Sequence, residues 1–181
     1  MPSPLIGPYV VMALMLVVAG GSKLVRPGNT AKALARAGVR HASAAVRVAA
    51  VVELAVGSSA TVVPLRVSAA AVAGSYAVFT VVVLLARRNG LALATCGCFG
   101  EPDTPPTVVH AVLTGAASLF ASGVALADPR APLPSPAWLA SPLGIGWTVA
   151  LAATSYLAYL ALSALARLQG AGAPARPGGP A

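Results

Sequence analysis

The stretch LIGPYVVMALMLVVAGGS (residues 5–22) holds no charged side chain, and Lys23 and Arg26 follow directly behind it. A helix needs about 20 apolar residues to cross the roughly 30 Å hydrocarbon core of a bilayer, and this run with its apolar neighbours supplies them. A secretory signal carries its positive charge ahead of the apolar run and a small-residue cleavage site after it. Here the order is reversed, so the run reads as a retained span with its N-terminus outside. Comparable runs recur at about 44–65, 68–86, 107–127 and 143–166. The expected fold is an all-α integral membrane protein, an antiparallel transmembrane helix bundle. Residues 1–127 form a four-helix core, 128–142 a Pro-rich loop and 143–166 a fifth C-terminal span. The tail 167–181, mostly Gly, Pro and Ala, reads as disordered because it cannot build a core.

Composition leads to the same solvent. Of 181 residues, 57% are hydrophobic and 9% charged, with a mean hydropathy of +0.83. Soluble domains carry roughly 25% charged residues, so a chain this depleted cannot cover a water-facing surface. Five spans of about 20 residues leave no room for a separate soluble enzyme domain. The first partner is therefore the lipid bilayer. The net charge of +8 does not signal nucleic acid, because the cations flank apolar runs instead of forming a basic face with aromatic or polar readers.

Those cations orient the spans. Six (Lys23, Arg26, Lys32, Arg36, Arg40, Arg47) follow the first run, Arg87 and Arg88 the third, and Arg167 and Arg176 lie in the tail, against Arg66 and Arg130 on the other side. The positive-inside rule then predicts a multi-pass cell-membrane protein with the N-terminus outside and the C-terminus cytoplasmic. Tyr9, Trp138 and Trp147 fall at the low-charge face, as an interfacial aromatic belt would. Between the second and third runs only a tight turn fits, so those helices are antiparallel neighbours. Residues 31–39 fit a short amphipathic helix on the head groups, set off by Pro27, Gly28 and Asn29. Small residues recur four apart at Gly57 with Thr61, Ala70 with Gly74, and Ala117 with Ala121 and Ala125, the spacing that lets membrane helices approach closely.

Four residues could do chemistry. Cys96 and Cys98, the chain's two cysteines, lie in NGLALATCGCFGEPDTPP (residues 89–106). Gly97 permits the bend that would bring two cysteines one residue apart into disulfide range. Such a bridge would be strained, and so oxidising and exchangeable in place of a structural staple. Alternatively, the two thiolates fill half of a tetrahedral metal shell. Glu53 is the one acid inside an apolar run. A carboxylate there costs about 2.5–3.5 kcal/mol even on insertion scales, so it must face the interior with a partner; Lys23 and Arg47 are the nearest cations. Lys23, next to the helix-stopping Pro27, reads more simply as a snorkelling anchor. His110, one turn into the fourth run, can accept a proton during thiol exchange. Tyr76, Phe79 and Thr80 line either a quinone-sized pocket or the core.

GGSKLVRP (residues 20–27) closing the first span, Glu53 with Gly57 in the second, and CGCFG (residues 96–100) before the fourth together resemble the methylamine utilisation protein MauE family. That family is similar in layout to DoxX-like four-helix membrane proteins, and the resemblance covers about residues 5–127. Family members often carry Arg followed by Asn or Asp where VVHAVL here has His110 and Ala111. The resemblance implies a membrane factor for maturation of methylamine dehydrogenase, helping disulfides form outside the cytoplasm. Cys96 and Cys98 would act as a thiol-disulfide redox pair, Glu53 or His110 would manage protons, and a client protein with cysteines to be oxidised would be the partner. By analogy with vitamin K epoxide reductase, electrons would pass on to a membrane quinone as cofactor. The charge count, in contrast, assigns the cysteine segment to the cytoplasmic side. A soft-metal carrier using the cysteine pair and a non-catalytic partner subunit are the alternative functions.

Overall fold

The structure is a computed structural model that describes residues 5–63, 65–88, 108–127 and 136–171; Cys96 and Cys98 lie outside the described residues. All regular structure in the described residues is helical: α1 (Ile6–Val25), α2 (Gly28–Arg36), α3 (Ala42–Val62), α4 (Arg66–Arg88), α5 (Val108–Leu126), α6 (Pro136–Leu139) and α7 (Pro142–Ala171). Among them α1, α3, α4, α5 and the part of α7 up to Leu160 are long and apolar enough to cross a membrane. The chain is thus an all-α bundle of multi-pass type. The last helix continues to Ala171, into the stretch expected as tail.

Local chemistry sets the ends. Arg26 leaves the helical region at φ −133°, because the ring of Pro27 crowds the residue before it, and its N–H closes on the Ser22 carbonyl. Gly28 and Asn29 do not separate helices; they form the first turn of α2, where the Ala31 N–H donates to the Pro27 carbonyl. That helix stops at Gly38, whose φ of +85° is open to a residue without Cβ, with the Val39 N–H returning to the Leu34 carbonyl. Ala31 and Leu34 pack on Ala42 and Val46 of α3, which leaves Lys32 and Arg36 exposed.

The helices associate as two antiparallel pairs, α1 with α3 and α4 with α5. Consecutive α3 and α4 do touch, as the tight turn requires, but each packs more extensively on another helix, α3 on α1 and α4 on α5. Between α1 and α3 the backbones are as near as they can come. A Cβ on Gly20 would stand 2.7 Å from the Ala50 carbonyl oxygen, and one on Gly57 2.7 Å from that of Ala13. Lipid provides no hydrophobic drive between helices, so this close contact is itself the source of attraction. Gly74 behaves differently: it is exposed with nothing near it, so its spacing from Ala70 marks no interface.

The core is built from small and aromatic residues: Tyr9, Ala13 and Leu16 from α1, Ala60 from α3, Val72 and Tyr76 from α4, Ala121 and Val124 from α5. Tyr9 corrects the expected aromatic belt. It is fully buried, and its hydroxyl donates to Ser68 Oγ at 3.3 Å. Ser68 in turn ties the α3–α4 turn, accepting from the Leu65 N–H at 2.9 Å. The other two aromatics do meet each other: the rings of Trp138 and Trp147 make an edge contact at 5.9 Å.

Candidate functional site

Two charges are buried between α1 and α3. Lys23 and Glu53 are 6% and 5% exposed, and Lys23 Nζ donates to both carboxylate oxygens, at 2.5 and 2.7 Å. Helix geometry explains the meeting. Side chains lean toward the N-terminus of their own helix, so Lys23, near the end of α1, leans back into the bundle, and Glu53 of the antiparallel α3 leans toward it. The expected snorkelling anchor is therefore wrong for Lys23, because reaching the interface would need its side chain to run against that lean. Arg47, the other candidate partner, is exposed.

The glycines set up this contact. Gly20 lies about one turn before Lys23 and Gly57 about one turn after Glu53, so each helix carries a charge and a close-approach residue on one face. In a low-dielectric interior the attraction offsets the loss of hydration only when both charges are fully engaged, and the two-oxygen geometry meets that need. Phe79 of α4 adds to it: Lys23 Nζ stands 4.8 Å from its ring centroid, a distance at which a desolvated cation is attracted to the ring face. Tyr76 meets Phe79 edge-on at 5.9 Å, and its hydroxyl donates to the Met12 carbonyl at 2.9 Å. Of the two readings of Tyr76, Phe79 and Thr80, this is the core: Tyr76 and Phe79 fasten α4 to α1, and Thr80 joins α4 to α5 through Thr114.

His110 is buried at 4% exposure in the first turn of α5. Its carbonyl accepts from Thr114 Oγ1 at 2.7 Å, and Thr114 Oγ1 lies 2.9 Å from Thr80 Oγ1 on α4. Further along the same hairpin Ser118 Oγ donates to the Ala73 carbonyl at 2.9 Å. These hydroxyls satisfy main-chain and side-chain acceptors where no water is at hand. Polar groups thus run through the interior from the α4–α5 connection inward, as His110, Thr114 and Thr80.

The comparison with known families bears on this arrangement. The model of the family described as "Methylamine utilisation protein MauE" matches residues 2–128. The chain belongs to the MauE family. The match takes in α1 to α5, so the buried Lys23–Glu53 pair, His110 and the cysteine connection all lie in the MauE portion, and α6 and α7 lie beyond it. No curated protein and no solved structure matches the chain.

Of the four expected site residues, Glu53 and His110 are buried in the bundle, and Cys96 and Cys98 lie outside the described residues. Among the described residues no three of His, Cys, Asp and Glu come together. Two assignments were left open or missed in the sequence: Lys23, offered both as a partner of Glu53 and as a snorkelling anchor, and Phe79, given no part as the cover of its ammonium. A signal for the first was present in the one-turn spacing of Gly20 with Lys23 and of Glu53 with Gly57. Nothing in the local sequence marks Phe79, because its role depends on which face of α4 meets α1.

Proposed function

We propose that this MauE-family chain is a membrane thiol-disulfide maturation factor that oxidises a cysteine-bearing client outside the cytoplasm. The client that the resemblance implies is of the methylamine dehydrogenase type, in keeping with a family described by methylamine utilisation. A client thiolate attacks one sulfur of the Cys96–Cys98 disulfide to form a mixed disulfide; the second client thiolate then closes the client bridge and releases both cysteines as thiols. Regeneration of the disulfide calls for a two-electron oxidant, and a membrane quinone would supply it by accepting the two electrons and two protons held by Cys96 and Cys98.

The observation that carries this reading is one of topology. Both cysteines belong to the connection between α4 and α5, and His110, in the first turn of α5, is the first buried polar side chain after that connection among the described residues. Proton transfer falls to Glu53 or His110, and the geometry favours His110, since Lys23 engages both Glu53 oxygens.

Labelling of intact cells with a membrane-impermeant maleimide, with and without prior reduction, tests the proposal. Labelling of Cys96 and Cys98 only after reduction is the expected result. It would also overturn the orientation given by the charge count. Labelling only after permeabilisation would remove the oxidising role outside the cytoplasm. Cys96→Ser and Cys98→Ser are each expected to abolish client oxidation while leaving the protein in the membrane, and retained oxidation in the double variant would refute the mechanism.

A further inference from the structure

Between α1, α5 and α7 lies an apolar cleft of about 540 Å³. Its walls include Gly7 and Met12 of α1, Phe120 of α5, and Trp147, Leu151 and Thr154 of α7. Two of the polar groups along these walls are turned to other partners: the Thr154 hydroxyl donates to the Ala150 carbonyl at 2.8 Å, and the Met12 carbonyl accepts from Tyr76. Water would find too few partners there, since apolar cavities stay dry. A dry void would in turn forfeit the dispersion contacts of its lining. Among membrane-spanning helices the remaining filler is hydrocarbon.

The shape selects its source. The α7 wall runs from Trp147 to Thr154, about 10 Å at 1.5 Å per residue, so the cleft lies along the helices and parallel to the chains of a bilayer. One end is marked by Trp147, in edge contact with Trp138 near the start of α7, and paired indoles of this kind sit at head-group depth. A chain entering at that end hangs from a head group in the same leaflet. Most of α7 needs such a fastener: Leu143, Val149 and Leu157 are 73%, 62% and 63% exposed, and its packing on α1 and α5 is sparse.

We propose that this cleft is a binding site for one acyl chain of a phospholipid, which fills the gap between the four-helix portion and α7. The site is independent of the redox reading, being formed at the opposite end of α1 from Lys23.

The test is lipid retention by the full chain, purified in mild detergent with extended washing, with bound lipid identified by mass. Ala150→Leu on α7 and Gly7→Val on α1 fill the cleft from opposite walls, and Val149→Leu, which is outside the lining, serves as control. Wild type and Val149→Leu are expected to retain about one phospholipid per chain, and each cleft-filling variant severalfold less. Helical content by circular dichroism selects the variants that fold, and two independent walls keep the result interpretable if one does not. Equal retention in a folded cleft-filling variant, or an isoprenoid quinone in place of phospholipid, would overturn the assignment.

Discussion

Removing one member of the Lys23–Glu53 pair should harm the protein far more than removing both. Both groups are at least nine-tenths buried and bonded to each other through two contacts. Lys23→Met keeps the length of the side chain but leaves the Glu53 carboxylate without its cation, and Glu53→Met leaves the ammonium, among the described residues, with the face of Phe79. Breaking a buried pair in this way costs about 3–5 kcal/mol. At about 1.4 kcal/mol per decade, the folded-to-unfolded ratio falls by a factor on the order of 10² to 10³ or more. The double variant Lys23→Met/Glu53→Met has no charge left to desolvate, and replacing both members with apolar residues of similar volume is often neutral or stabilising by about 1–4 kcal/mol. The expected outcome is therefore a double variant more stable than either single one, with a coupling energy of several kcal/mol. Equilibrium unfolding of the purified protein in mixed micelles measures all four corners of the cycle. Additive effects of the two substitutions would refute the reasoning, since they would mean that the two charges do not share their burial.

The backbone contacts lead to a contrast between two glycines. Gly57→Ala forces a Cβ to within 2.7 Å of the Ala13 carbonyl oxygen and should destabilise the fold by about 1–3 kcal/mol, whereas Gly74→Ala meets nothing and should be neutral or stabilising by up to about 1 kcal/mol; thermal unfolding in detergent separates the two. Tyr9→Phe removes the hydroxyl that reaches Ser68 and should cost about 0.5–1.5 kcal/mol in the same assay, with little effect on head-group contacts because the ring is interior. If proton transfer falls to His110, then His110→Gln should slow client oxidation while Cys96 and Cys98 remain labelled as in wild type, and an unchanged rate would transfer that role to another group.

The fold class was legible in the sequence because a bilayer imposes a one-dimensional rule. Each crossing needs about 20 residues with few charges, and residues 5–22 or 107–127 satisfy it without reference to the rest of the chain. The end of α1 followed from Pro27 for a similarly local reason, whereas the short helix expected over 31–39 lies instead at Gly28–Arg36 and stops ahead of Gly38. The need of Glu53 for an interior partner was equally plain, since no carboxylate is left alone at that depth. The choice of that partner was not. Lys23 and Arg47 were equivalent as sequence neighbours of an apolar run, and only the antiparallel register of α1 on α3 directs Lys23 inward and leaves Arg47 exposed. Tyr9 misled for the same reason: an aromatic near a span end suits an interface or an interior, depending on which face of the helix is covered. Helix spacing likewise made Gly57 and Gly74 look alike, although one has a neighbouring backbone against it and the other has none. Composition and hydropathy act along the chain and determined that the protein is a bundle of membrane helices. Which charges pair, which glycines touch and where a cleft opens depend on rotations and offsets between helices, and those are decided only when the helices pack.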